Sequence, residues 1–146
     1  MNSRYLLGSL VVIAMLSGVV VAEAERNYVA VTSVSQSTAS VGSVSQTDDG
    51  LRIQVVVENS MNEPLRVQYV RLKLDRRNYT DATSFPYQGR RTLPPGESSM
   101  MMTVPTRQLS GDLSEDTTLV VEGFVAVEVY NGYRFEIPIE PTEVTL

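Results

Sequence analysis

Hydrophobic residues follow two regimes along this chain. From Tyr5 to Ala22 they run almost unbroken, 18 residues without a charge. Beyond residue 26 they recur at every second position, in short stretches separated by turn residues. A run of the first kind, taken as a helix at about 1.5 Å per residue, reaches roughly 27 Å and nearly spans a bilayer. Period two marks strands with one buried face.

The period-two stretches predict a succession of strands. Tyr28–Val34 alternates well enough for a first strand, and the Ser/Thr-rich run to Thr47 reads as a polar connection closed by the turn Asp48-Asp49-Gly50. Leu51–Glu58 places Leu51, Ile53, Val55 and Val57 on one face and Arg52, Gln54 and Glu58 on the other. Leu65–Leu74 follows, with a change of phase between Tyr69 and Val70 that suggests a bulge. Residues 76–97 are polar and rich in turn chemistry, which predicts a long connection with a short edge strand at most. Ser98–Val104 is a further strand whose Met100-Met101-Met102 run cannot all face inward. Gln108–Thr117 reads as a loop or a single helical turn.

Leu119–Tyr130 and Tyr133–Ile139 flank Asn131-Gly132, which predicts a hairpin with a type I′ turn. Gly123 marks a bulge, and Pro138, lacking a ladder donor, predicts that the last strand ends there or lies at an edge. Without crossover helices, these elements predict an all-β fold: an antiparallel two-sheet sandwich, fibronectin- or immunoglobulin-like, of about seven strands. A small barrel is the alternative.

The order of pieces resembles the LEA14-like family, also called the late embryogenesis abundant type 2 or WHy domain. The resemblance rests on VVVENSMNEPLRVQYVRLKL (residues 55–74), TLPPGESSMMMTVP (92–105), VEGFVAVEV (121–129), Asn131-Gly132 and YRFEIPI (133–139). It covers about Leu51 to Ile139. The family's Asn-Pro turn is altered here, with Asn59 followed by Ser60 and the proline displaced to Pro64. The resemblance implies a seven-stranded fibronectin-like sandwich associated with desiccation, osmotic or defence responses, with no catalytic residues to carry over.

The leading apolar run predicts an N-terminal transmembrane helix over residues 1–26, ahead of a β domain over 27–146. Its lipid-facing candidates are Tyr5, Leu6, Leu7, Leu10, Val11, Val12, Ile13, Met15, Leu16, Val19, Val20 and Val21. Arg4 before it and Glu23 and Glu25 after it orient the chain N-in, C-out. A single-pass membrane protein with an extracytoplasmic domain is the expectation. The alternative is a secreted protein cleaved near Ala24, where Ala22-Glu23-Ala24 has the small-x-small form.

Composition narrows the chemistry. With no His and no Cys, the commonest general base, the commonest metal ligand and all thiol chemistry are gone. Acids number 17 against 12 basic residues, of which only Lys73 is a lysine. That balance fits a salt-loving, archaeal source, or a GC-rich genome. Paired acids such as Asp48-Asp49 and Glu115-Asp116 lie in turns, where they read as solvated rather than catalytic. Asp112, Glu115 and Asp116 lack the spacing of a calcium loop. No cofactor and no metal site is expected.

One distribution departs from uniformity. Arg66, Arg71, Lys73, Arg76, Arg77, Arg90 and Arg91 hold seven of the 12 basic residues, against only Asp75 and Asp81 in the same stretch. Arginines interleaved with Tyr69, Tyr79, Phe85 and Tyr87 suit an anion or partner patch. The plainer reading pairs them with acids elsewhere in the fold. Asn78-Tyr79-Thr80 is a glycosylation sequon at Asn78. The functional expectation is a non-enzymatic, membrane-anchored domain. Its partners would be the membrane lipid bilayer and an envelope polymer or membrane protein, with no nucleic acid, and its role protective under stress. A structural subunit of a surface or secretion assembly is the alternative, and a carboxylate hydrolase a more remote third.

Overall fold

Alternating apolar residues build seven strands in a computed structural model that describes residues 22–25, 28, 31–111, 113–114, 116–129 and 132–146, with the side chains of 87–90 excepted. The chain divides into two compact units, Met1–Thr32 and Ser33–Leu146. Ahead of the strands, residues 22–25, 28 and 31–35 are helical.

The second unit holds β1 (Thr38–Thr47), β2 (Gly50–Asn59), β3 (Leu65–Arg76), β4 (Tyr79–Leu93), β5 (Gly96–Pro105), β6 (Thr118–Val129) and β7 (Tyr133–Thr145), with one 3₁₀ turn at Thr106–Gln108. All seven strands belong to one sheet in the order β4-β3-β6-β7-β1-β2-β5. Neighbours run antiparallel except β1 and β7, which are parallel and share a single register pair, Ala39 with Ile139. The sheet curls like half a barrel. Its concave side buries Ile53, Val55, Leu72, Leu74, Met100, Val125, Val127 and Ile137 to within 1% of full enclosure. Each such side chain stabilises the fold by roughly 1.5–3 kcal/mol relative to exposure.

Two expectations are corrected here. The two-sheet sandwich gives way to one continuous curled sheet, because the Ala39–Ile139 pair stitches together what would otherwise be separate layers. Hydrophobic period cannot reveal a seam made by one pair. The N-terminal transmembrane helix is corrected as well: among the described residues no helix is long and apolar enough to cross a membrane. The helical residues 22–25 are exposed and carry Glu23 and Glu25. The single-pass, extracytoplasmic placement that rested on that helix falls with it. Tyr5, Leu6, Leu7, Leu10, Val11, Val12, Ile13, Met15, Leu16, Val19, Val20 and Val21 lie outside the described residues.

Strand boundaries differ from expectation at both ends of the β region. Residues 31–35 are helical where a first strand was expected, and β1 instead uses the Ser/Thr-rich stretch. β4 is a 15-residue edge strand where a connection was expected. Between the pairs Val67–Arg91 and Tyr69–Pro86, Gln68 alone faces residues 87–90, and this wide bulge hides the strand's period. β7 continues past Pro138 to Thr145 inside the sheet, since its far side meets β1 at only one pair and Pro138 removes no ladder bond there. In the β6–β7 hairpin the register pair Val129–Tyr133 leaves three loop residues, with Gly132 at φ +80°, rather than a two-residue turn. Asn131 lies outside the described residues. Of the methionine run, Met100 and Met102 are buried and Met101 is exposed.

Candidate binding surface on the β4-β3-β6-β7 face

β3 sorts its side chains by parity. Val70, Leu72 and Leu74 face the concave core, while Tyr69, Arg71, Lys73 and Asp75 point to the convex side. Opposite them the ladder places Phe124 beside Arg71 and Glu122 beside Lys73 on β6. Like faces in register make the convex surface a patchwork of charge and aromatic rings.

Most of the basic stretch is engaged within the fold. Arg66 lies 3.9 Å from Glu128, whose other oxygen accepts a 3.0 Å hydrogen bond from Gln68 Nε2. Lys73 Nζ sits 2.6 Å from Asp75 Oδ2 and 2.7 Å from Glu122 Oε1. Hydrogen bonds to Asp75 and then Glu122 push the Lys73 pKa up, and the hydrogen bonds from Lys73 and Thr80 hold the Asp75 carboxyl below its ordinary value. Arg91 Nη2 donates to the Ser99 carbonyl at 2.7 Å, which ties edge strand β4 to edge strand β5 across the Pro94-Pro95 corner. Arg77 and Asn78 are exposed in the two-residue turn closing the β3–β4 hairpin. The Arg90 side chain lies outside the described set.

Arg76 is different in kind. Its side chain is only 5% exposed, and its Nη2 reaches Asp81 Oδ2 at 2.6 Å and also donates to the Ser110 carbonyl. Asp81, 7% exposed, accepts from the Ser110 hydroxyl at 2.6 Å and from the Ser110 N–H at 3.1 Å. Tyr79 lies over the guanidinium, 5.3 Å from ring centroid to Cζ. Arg76 Nε is buried without a hydrogen-bond partner. Burial acts against the charged form of Asp81, but the Ser110 hydroxyl and N–H, with Arg76, outweigh it and hold the carboxyl below its ordinary pKa. This node fastens the loop after the 3₁₀ turn to the β3–β4 hairpin.

Arg71 stands apart from the others. It is exposed, and it shares a concavity of about 460 Å³ with Lys73, Ala82, Glu122, Phe124, Pro138 and Pro141. The basic stretch could be found by counting charge. Phe124, Pro138 and Pro141 could not, because strand pairing alone brings β6 and β7 to it.

Comparisons follow the fold rather than the sequence. No family model matches the chain, and no curated protein matches it. The chain is similar to the solution structure of a protein described as late embryogenesis abundant (LEA), at 16% identity and a TM-score of 0.58, covering 92% of this chain and 87% of that one. A fainter likeness, to the X-ray structure of a structural-genomics target, has 10% identity, a TM-score of 0.46 and coverage of 76% and 84%. At such identity the first likeness establishes an LEA-like fold.

Proposed function

We propose that this chain is a non-enzymatic protein of LEA-like type that protects other proteins by contact during drying or osmotic stress. The observation that carries the reading is the LEA-like architecture along 92% of the chain. The residue pattern from Leu51 to Ile139 supports it, as does a sequence without His or Cys, which lacks the usual nucleophile and base pairs. Contact is available at the free edge of β4, where residues 79–86 offer unpaired N–H and C=O groups to an extended segment.

The test is a drying assay. A desiccation-sensitive enzyme is lyophilised with the full chain, with the heat-denatured chain, or with the same mass of serum albumin. The folded chain should preserve more activity after rehydration than either control. Recovery no better than with albumin removes the protective role.

A further inference from the structure

The β6–β7 ladder breaks its register between Val121 and Gly123. There Glu122 faces two residues of β7, Glu140 and Pro141, because Val121 pairs with Thr142 and Gly123 with Ile139. Pro141 fits such a bulge, having no N–H to leave unpaired. Gly123, at φ +154°, lets the β6 backbone press against β3; a Cβ there would stand 2.0 Å from the Arg71 carbonyl oxygen. Over this interruption lies the concavity of about 460 Å³, a size suited to a small organic ligand.

Its walls are mixed in a specific way. Phe124 forms one apolar side, held by an edge-on contact with Tyr69 at a centroid distance of 5.8 Å and an interplanar angle of 72°. Pro138, the register partner of Phe124 on β7, and Pro141 at the bulge continue this apolar lining, and neither loses side-chain entropy when covered. Of the charged groups, Lys73 and Glu122 neutralise each other at 2.7 Å, and Lys73 is held a second time by Asp75. Arg71 is left as the cation without a partner among the described residues.

We infer that this concavity binds a hydrophobic monocarboxylate, either a free organic acid or the C-terminal carboxylate of a peptide ending in an apolar residue. The apolar body lies against Phe124 and the two prolines. The carboxylate meets the Arg71 guanidinium, whose planar fork matches two oxygens. One cation outside any ion pair suits one negative charge, and Glu122 on the same wall opposes a dianion such as phosphate. This site stands independently of the protective role, and its failure leaves the drying assay to be judged by itself.

The experiment titrates the full 146-residue chain with 2-naphthoate while following the amide resonances of Gly123 and Phe124. Saturable shifts confined to that region are expected. Binding should weaken about tenfold or more for neutral 2-naphthamide and for Arg71→Gln, since each removes the charge-assisted pair. Arg107→Gln, on the exposed 3₁₀ turn, should leave it unchanged. N-acetyl-Gly-Phe binding more tightly than naphthoate assigns the natural ligand to a peptide terminus, and the reverse order assigns it to a free acid. Absence of saturation, equal binding of the amide, or equal weakening in both arginine variants overturns the site.

Discussion

Arg76 and Asp81 form a buried ion pair whose worth lies in what its loss would expose. Removing Asp81 leaves the guanidinium enclosed with the Ser110 carbonyl as its remaining hydrogen-bond acceptor. Asp81→Ala should therefore cost about 3 kcal/mol in urea unfolding, whereas Asp75→Ala, at a half-exposed carboxylate, should cost clearly less. The acid dependence follows from the lowered Asp81 pKa. In the unfolded chain the carboxyl takes up its proton near the ordinary value of 3.8, before the folded chain does, so stability is fully present above that pH and is lost as pH falls through the lower folded value. Asp81→Asn should flatten the acid limb of a stability profile below about pH 4; an unchanged slope would place the acid sensitivity elsewhere.

The Asn59 side chain also serves the backbone. Its Nδ2 donates to the carbonyls of Glu63 and Leu93 at 3.0 and 3.2 Å, and its Oδ1 accepts the Met61 N–H at 3.0 Å. The turn altered by the displaced Pro64 is thus closed by Asn59 itself and anchored to the end of β4. Asn59→Ala leaves three buried or half-buried backbone groups without that partner and should cost about 2 kcal/mol. Asn59→Asp should also destabilise, because a carboxylate cannot donate to two carbonyl oxygens.

At the scale of elements, legibility followed burial. β2 was readable because Leu51, Ile53, Val55 and Val57 are all enclosed while Arg52, Gln54, Val56 and Glu58 are not. β3 was readable apart from its bulge, which the structure sets between Val67 and Tyr69. β1 was missed because Ala39 is its one buried apolar residue, so its pairing with β2 leaves little hydrophobic trace. β4 was missed for a related reason: its described buried side chains are Asp81 and Leu93, one of them charged. The basic stretch was legible as composition, but the buried role of Arg76 was not, since its partner Ser110 lies 34 residues away. Gly123 was legible as a bulge, and its close approach to β3 makes a sharp test. Gly123→Ala should destabilise by about 2 kcal/mol or more through strain at positive φ and a clash with the Arg71 carbonyl. Substituting exposed Ala82 by Gly on the edge strand β4 should cost less than 1 kcal/mol, by about the usual penalty for glycine in a strand.

For the strand-bearing unit as a whole, the sheet is asymmetric in its connections. Register runs of nine or more pairs join β1 to β2, β2 to β5, β3 to β4, β3 to β6 and β6 to β7, while β1 meets β7 at one pair. The seam also joins the first strand of the β region to the last, and because β1 and β7 run parallel, the outer ends Thr38 and Thr145 lie apart along it. A tug applied through those ends would load a single rivet instead of a row of them. The leaf β1-β2-β5 should then shear from the leaf β4-β3-β6-β7 at low force in an optical trap, before either leaf frays.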